Sequence, residues 1–185
     1  MCIRDSYTRE YPVERLYRDN RLNHIHEGTW GIQGLDILGR KVQMHNGAAV
    51  AILREEVQAT IDSAAAYPEL AGYSAQLNAT LDQVEQTIAA VVACDDNSLA
   101  LANATIFLDA MGHAVIAWMW LIQAVAASAG LAKGESTDRD FYAGKLAATN
   151  FFFRYELPKA KASLELVADL DSTCYDLTAE QFLGQ

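Results

Sequence analysis

The sequence predicts an all-α protein built as an antiparallel helical bundle, and three observations carry this prediction. Apolar residues recur at spacings of three and four, rather than two, along most of the chain. The chain contains only three prolines, and stretches typical of β-strands are sparse. The composition, 51% hydrophobic and 21% charged, provides a core for one domain or for a domain with an appendage.

The first predicted helix begins at Pro12, because proline suits the first turn of a helix, and covers "PVERLYRDNRL". Its dense charge cluster, residues 14–21, is predicted to lie in solvent with local ion pairs that each contribute little stability. The segment "NHIHEGT" (23–29) then interrupts the helical pattern.

A long helix is predicted from about residue 30 to about residue 66. Four glycines fall within it, and each costs about 1 kcal/mol relative to alanine in a helix interior. Glycines at such positions often mark the close approach of another backbone or of a ligand. The glycines are Gly31, Gly34, Gly39 and Gly47. The predicted inner face consists of Ile32, Leu35, Leu38, Val42, Ile52, Val57 and Ile61.

Pro68 is predicted to begin the next helix, which carries one apolar stripe at helical spacing. The stripe consists of Leu70, Tyr73, Leu77, Leu81, Val84, Ile88 and Val91. The segment "CDDNS" (94–98) is predicted to be a turn, in which Asp95, Asp96 or Asn97 caps the helix that follows.

The helix through residues 99–130 is apolar on nearly every side and is therefore predicted to be the most buried. Its most apolar run, residues 114–130, is short for a membrane span and is interpreted as a core helix. After a loop capped by Ser136, Thr137 or Asp138, a last helix is predicted over residues 139–170. Pro158 is expected to kink it or to tighten it locally.

The charge and cysteine content exclude several classes of protein. A formal net charge of −10 argues against a nucleic-acid partner, because phosphate binding requires a basic face. Cys2, Cys94 and Cys174 lie far apart and form no CxxC pair, which fits neither a disulfide framework nor a zinc site. With no recognisable signal peptide and no membrane span, a reduced cytoplasmic protein is predicted.

Glu27 has two interpretations that its spacing leaves open. A carboxylate at a helix N-terminus commonly caps the helix or interacts favourably with its dipole. Alternatively, Glu27 is a general base in a cleft whose partial desolvation raises its pKa. In that case Gly28 would allow close approach of a substrate, and Thr29 would offer a hydroxyl and an N–H at the opening of the next helix.

The other candidate groups are interpreted as structural. His113 lies in the apolar helix and is predicted to be a core histidine with its hydrogen bonds satisfied. No metal site is predicted, because the spacing of three other histidines is poor for metal binding: His24, His26 and His45. Four aromatic residues are predicted to pack rather than to bind a cofactor: Phe151, Phe152, Phe153 and Tyr155.

Three motifs stand in order within residues 7–42: "PVERLYRD" (12–19), "EGT" (27–29) and "IQ" (32–33). This segment closely resembles the end of the catalytic core of acyl-CoA dehydrogenases. The run "GIQGLDILGRK" (31–41) resembles the larger bacterial members with an extra C-terminal helical domain, among them the 3-methylmercaptopropionyl-CoA dehydrogenases. The length and helical character of residues 49–170 fit such an extension.

The resemblance implies FAD-dependent α,β-dehydrogenation of an acyl-CoA thioester, with Glu27 as the general base that removes the α-proton. Its backbone N–H would hydrogen-bond the thioester carbonyl. Gly28 matches a substrate-binding position, and Thr29, Trp30 and Gly31 match FAD-binding positions. Two departures from the family pattern are His26, where tyrosine is common, and Gly31, where a polar side chain is common.

The resemblance also implies a domain organisation and partners. Residues 1–48 would be the end of the catalytic helical domain, residues 49–170 the helical extension, and residues 171–185 a tail. Electron-transfer flavoprotein is the expected electron acceptor, and the full-length form is expected to be a homodimer. We expect the chain to be a C-terminal fragment that alone binds no FAD and is inactive. The alternative is a non-catalytic helical interaction or dimerisation module in which Glu27 is a cap.

Overall fold

The computed structural model describes Thr8 and residues 13–22, 29–133 and 138–183, apart from the side chain of Phe182. All the regular elements within these ranges are helical, which confirms the predicted all-α fold class. The chain divides into two compact units, Met1–Trp30 and Gly31–Gln185.

The first unit contains helix α1 (Val13–Asn20), and the side chains of this helix lie largely in solvent. Two ion pairs at i, i+4 spacing join Arg15 to Asp19 and Arg18 to Glu14, each with a nitrogen–oxygen distance of 3.6 Å. The predicted solvated charge cluster is therefore confirmed. Exposed pairs of this kind stabilise a helix by only about 0.3–0.5 kcal/mol each.

The second unit is built around a helical bundle. Its elements in chain order are α2 (Trp30–Asp36, whose first residue belongs to the first unit), a π-turn (Ile37–Lys41), α3 (Ala48–Ala64), a 3₁₀ turn (Pro68–Leu70), α4 (Ala71–Val92), α5 (Asn97–Ala100), α6 (Ala104–Ala132), α7 (Arg139–Phe151), a second π-turn (Phe152–Glu156), α8 (Leu157–Ala168) and α9 (Ala179–Leu183).

The single long helix predicted over residues 30–66 is wrong. The chain widens into a π-turn after Asp36 and then turns sharply, because three successive residues adopt left-handed backbone conformations: His45 (φ 51°), Asn46 (φ 56°) and Gly47 (φ 81°). Asparagine and glycine tolerate this region better than other residues do. The turn separates α2 from α3 and makes Gly47 the N-cap of α3.

The turn also divides the predicted inner face into two sets. Leu38, Val42 and Val57 are buried as predicted, and Ile61 packs partly buried against the core. The prediction is wrong for three residues, whose side chains are 65%, 47% and 58% exposed: Ile32, Leu35 and Ile52. The turn changes the helical phase, so a single three-and-four spacing cannot predict the buried faces of both α2 and α3.

Helix α6 is the centre of the bundle and packs against α3, α4, α7 and α8. Nine of its residues are buried, which confirms that the most apolar helix is the core helix. Within the described ranges, the segment Asn97–Ala132 is the one that could cross a membrane by length and composition alone, a test that core helices of soluble proteins also pass. Two core clusters are arranged along α6, one around Phe107 and Leu164 and the other around Leu121 and Phe153.

The predicted start of α4 at Pro68 and the predicted cap at Asp96 are both confirmed. Pro68 opens the 3₁₀ turn that leads into α4. The Asp96 carboxylate accepts hydrogen bonds from the N–H groups of Ser98 and Leu99, at 2.9 and 3.2 Å, and so satisfies the first turn of α5. The helix predicted through residues 99–130 is interrupted early, since a turn separates α5 from α6 at residues 101–103. Asp138 occupies the N-cap position of α7, whereas Ser136 and Thr137 lie outside the described residues.

Pro158 perturbs the last helix as predicted, but the helix widens before it instead of tightening. Proline donates no backbone hydrogen bond, and its ring clashes with the carbonyl four residues earlier, which here belongs to Arg154. Arg154 lies in the π-turn Phe152–Glu156, where the backbone is wider than in an α-helix. This turn joins α7 to α8 and brings Phe153 and Leu157 together into the core.

Candidate functional site

Of the predicted site, residues 27–31, the structure describes residues 29–31, which stand at the start of α2. Glu27 and Gly28 lie outside the described residues. Thr29 is partly buried and directly precedes the helix, and Trp30, its first residue, is 56% exposed. Gly31 is exposed, and a Cβ added to it would meet no atom of the described residues within 4 Å. The described part of the site therefore provides open surface around Gly31 rather than an enclosed pocket.

Two other glycines of the predicted set hold the segment after Gly31 against the start of α6 and the turn that precedes it. A Cβ on Gly34 would stand 2.8 Å from the carbonyl oxygen of Ala104, so the two backbones touch. At Gly39 a Cβ would stand 3.2 Å from a methyl carbon of Leu101. The prediction that glycines here mark a close backbone approach is confirmed at Gly34.

The charged groups of this segment pair locally. The Arg40 guanidinium donates a hydrogen bond to the Asp36 carboxylate at 2.5 Å, and both residues face solvent. This hydrogen bond lowers the pKa of Asp36 below its usual value of 3.8 and raises the pKa of Arg40. Asp36 is therefore held as a carboxylate, which suits an ion-pair partner better than a proton acceptor at neutral pH.

Titratable groups elsewhere in the bundle form structural contacts. The Arg54 side chain on α3 pairs with the carboxylate of Asp82 on α4 and lies 3.9 Å from that of Glu85. The Nδ1–H of His113 donates a hydrogen bond to the Asp109 carbonyl at 2.8 Å, while its Nε2 lies 4.0 Å from a carboxylate oxygen of Glu156. Among the residues that the structure describes, no three His, Cys, Asp or Glu side chains are grouped in a way that could hold a metal ion.

The predicted structural roles of the aromatic and histidine residues hold for some of them. Phe153 is buried at 1% exposure, and Phe152 packs partly buried against the same core cluster. Phe151 and Tyr155 are instead exposed and stack on each other, with their ring centroids 5.0 Å apart. His113 has a hydrogen-bond partner as predicted, but it is only partly buried.

Open grooves run between the helices. Among the residues that the structure describes, none of residues 29–31 lines these grooves. A groove of about 270 Å³ between α3 and α6 is lined by Glu56, Thr60 and Ile122, among others. Grooves of about 270, 310 and 370 Å³ follow α4 along the second π-turn and α8, where they are lined by several amide side chains. The amides are Gln76, Gln83, Gln86 and Asn150.

A second face of α6 lies in solvent, which the apolar pattern of this helix did not predict. Ile116, Met119 and Ile122 on this face are 48%, 38% and 40% exposed, although the helix is the centre of the core. The signal was present in the sequence, because apolar residues on every side of a helix mean that more than one face is available for packing.

Comparison with known proteins identifies relatives over nearly the whole chain. Residues 53–178 match the family described as Acetyl-CoA dehydrogenase C-terminal like. The chain is 30% identical over 185 residues to the broad-specificity linear acyl-CoA dehydrogenase FadE5 of Mycobacterium tuberculosis, an alignment that covers 95% of this chain and 30% of that protein. It is 31% identical over 167 residues to 3-methylmercaptopropionyl-CoA dehydrogenase of Ruegeria pomeroyi, covering 88% of this chain and 28% of the relative.

A third relative, butyryl-CoA dehydrogenase of Syntrophomonas wolfei, is 26% identical over 96% of this chain and 30% of its own length. The chain therefore spans about 30% of the length of the curated relatives that it matches.

Proposed function

Because this chain belongs to the acyl-CoA dehydrogenase family, whose C-terminal helical domain its residues 53–178 match, we propose that it is the C-terminal part of an FAD-dependent dehydrogenase. The reaction converts an acyl-CoA thioester to its trans-2-enoyl-CoA. Electron-transfer flavoprotein is the proposed electron acceptor. The observation that carries the proposal is that the ordered motifs of residues 12–33 lead directly into this helical domain.

The chain's own residues fit one edge of a flavin site rather than a whole one. Thr29 and Trp30 stand at the start of α2, and no atom of the described residues crowds Gly31, so a planar ring could approach its backbone. Gly31 has no side chain with which to hold a cofactor, and its contribution would be its backbone. The remaining walls of a flavin pocket would come from polypeptide beyond these 185 residues.

In this proposal Glu27 performs the proton transfer. Its carboxylate takes the α-proton of the thioester, and its backbone N–H donates a hydrogen bond to the thioester carbonyl, where negative charge develops as the C–H bond breaks. Bound FAD supplies the oxidant that accepts the β-hydride. Gly28 leaves room for the substrate beside the base.

The first experiment tests whether the chain is one part of a larger enzyme. We expect the purified 185-residue protein to show no flavin absorption after incubation with FAD and removal of the excess. We also expect no dye reduction with acyl-CoA substrates of several chain lengths. A yellow, active protein would contradict the proposed division of the site.

The second experiment tests the base in the complete enzyme that the proposal requires. Replacing Glu27 with Gln should lower turnover by at least about 10²-fold, the lower end of the range for general-base catalysis, while the flavin spectrum is unchanged. Glu14→Gln is the matched control, since it removes the same charge from a residue whose carboxylate pairs with Arg18 on α1. Near-normal turnover in the Glu27 variant would refute the assignment.

A further inference from the structure

We propose that a polar groove along α4 is a docking site for an extended peptide segment of a partner protein, with an acidic and a basic side chain about six residues apart. The groove runs between α4 on one side and the second π-turn and α8 on the other. The proposal is independent of Glu27 and of the proposed dehydrogenation. It rests on the length of the groove, on free amide groups along it, and on opposite charges at its two ends.

The groove is continuous, because its successive parts share lining residues. The part beside the second π-turn shares Gln76 with the middle part, and the middle part shares Gln83 with the part beside the end of α8. The wall formed by α4 extends from Tyr73 to Thr87, a rise of about 20 Å at about 1.5 Å per residue. An extended chain covers this length with about six residues, since each residue adds about 3.3 Å.

Hydrogen bonds between the two walls hold the groove in shape. At one end the Tyr73 hydroxyl donates to the side-chain oxygen of Asn150 at 3.2 Å. Further along, the Gln83 side-chain amide donates to the Lys161 carbonyl of α8 at 3.1 Å. The groove is therefore preformed, and a partner does not have to open it, which lowers the free-energy cost of binding.

Amide side chains along the groove have free hydrogen-bonding groups. The Gln86 side chain forms no hydrogen bond with the part of the chain that the structure describes. Gln76 donates to the Gly72 carbonyl at 3.2 Å, and its side-chain oxygen has no donor among the same residues. An extended peptide presents its own unpaired N–H and C=O groups to such amides. A helix instead satisfies its backbone groups internally and packs through an apolar stripe, so the amides favour an extended ligand.

The two ends of the groove carry opposite charges. The Arg154 guanidinium lines the end beside the second π-turn, and it forms no ion pair with a carboxylate of the described residues. The Asp169 carboxylate lines the other end, and no basic side chain within the described ranges pairs with it. Between them Lys161 lies 3.7 Å from the carboxylate of Glu165, so the middle of the groove is close to neutral.

This arrangement of charges favours a peptide over other polymers. A nucleic acid would bring phosphates toward Asp169, and a neutral polysaccharide would leave both end charges without a partner. A peptide can carry an acidic residue for Arg154 and a basic residue for Asp169. Two residues an even number of positions apart also lie on the same face of an extended chain, so both can point into the groove.

The test is a titration of the isotope-labelled 185-residue chain with a synthetic peptide, followed through the NMR signals of the side-chain amides. The probe is the acetylated and amidated peptide Asp-Thr-Ser-Thr-Ser-Thr-Lys, whose threonines favour an extended backbone. We expect saturable shifts of the signals of Gln76, Gln83 and Gln86. Gln58 of α3 is the control, because it hydrogen-bonds Asp62 outside the groove, and its signal should not move. No shift at about 10 mM peptide, or equal shifts of all these amides, would overturn the docking site.

Charge reversal at Arg154 gives the sharpest result, with a second peptide in which lysine replaces the aspartate. In about 0.15 M salt, which screens distant charges, Arg154→Glu should shift the ratio of the two affinities by about tenfold toward the lysine peptide. The gain for that peptide also shows that the variant is folded. Arg139→Glu is the matched control, because it reverses the same charge at an exposed residue outside the groove, and it should change the ratio by less than about twofold.

The other end of the groove gives the reciprocal result. Asp169→Lys should shift the affinities by a similar factor toward a peptide with aspartate at both ends, because its second aspartate then meets a lysine. An unchanged ratio in the Arg154 and Asp169 variants, or an equal change in Arg139→Glu, would overturn the proposed recognition of the peptide by its two charges.

Discussion

Gly34 of α2 lies directly against the main chain of Ala104 at the start of α6. A Cβ at position 34 would stand 2.8 Å from the Ala104 carbonyl oxygen and 2.9 Å from its carbonyl carbon. Real Cβ atoms do not approach backbone this closely, so any larger residue must push the two helices apart. This contact fixes the helix that carries Gly31 to the central helix of the bundle.

Gly34→Ala should therefore destabilise the protein, although alanine is the better helix former. We expect a loss of about 1–3 kcal/mol in the free energy of unfolding, the usual cost of overpacking, measured by urea denaturation. Gly72→Ala is the control, because a Cβ on that exposed glycine of α4 would meet no described atom within 4 Å, and it should gain up to about 1 kcal/mol. Equal effects of the two substitutions would contradict the close approach at Gly34.

Thr87 joins α4 to α8 through a buried hydroxyl. The side chain is fully buried, and its oxygen lies 2.8 Å from the Gln83 carbonyl of its own helix and 3.2 Å from the Leu164 carbonyl of α8. Thr87→Val keeps the volume but removes the donor, and should cost about 1 kcal/mol in thermal or urea unfolding.

The matched control for this hydrogen bond is Thr80→Val on the same helix. The Thr80 hydroxyl donates to the Gln76 carbonyl at 2.9 Å, within α4, and is more exposed than that of Thr87. We expect a change of less than about 0.5 kcal/mol, as for most surface substitutions. A larger loss at Thr80 than at Thr87 would show that the bond between the helices contributes little.

The helices were predictable from the sequence where one apolar stripe faced one core. The stripe from Leu70 to Val91 is such a case, and five of its seven residues are buried. Over residues 30–66 the apolar spacing does not predict the buried face, because a left-handed turn at His45 to Gly47 changes the helical phase. Periodicity alone does not indicate where such a turn falls, although the sequence "HNG" contains two residues that favour it.

The candidate site was less predictable than the fold. The spacing of Glu27 fits both a helix cap and a general base, since each needs a carboxylate before a helix. Only the ordered motifs on either side of Glu27 favour the general base. Gly34 could be assigned to a close backbone approach from its place within a helical pattern, but its partner Ala104 lies seventy residues away in sequence. Contacts of this range depend on how the helices cross, which local patterns do not encode.

Asp36 should titrate below its usual pKa of 3.8, because the Arg40 guanidinium hydrogen-bonds its ionised form. Since the folded-state pKa is the lower one, the stabilising pairing is complete above pH 3.8 and is lost as the pH falls through the lowered pKa. Carboxyl carbon NMR of the labelled protein measures this directly. Arg40→Ala should move the Asp36 midpoint back toward 3.8, and an unchanged midpoint would exclude Arg40 as the cause.

Leu35 and Leu38 lie three residues apart, yet their substitutions should differ strongly. Leu38 is fully buried, so Leu38→Ala should cost about 2–5 kcal/mol in urea denaturation. Leu35 is 47% exposed, and Leu35→Ala should cost less than about 1 kcal/mol in the 185-residue chain. In the proposed complete enzyme, the catalytic domains would cover Leu35 and the neighbouring Ile32.

The same Leu35 substitution should therefore become costly when those domains are present. Burial of a leucine contributes about 1.5–3 kcal/mol, which would appear as an added loss of stability in the longer protein alone. Leu38→Ala is the internal control, because its environment within the bundle is already complete. If Leu35→Ala costs the same in both proteins, α2 is not the surface on which the catalytic domains pack.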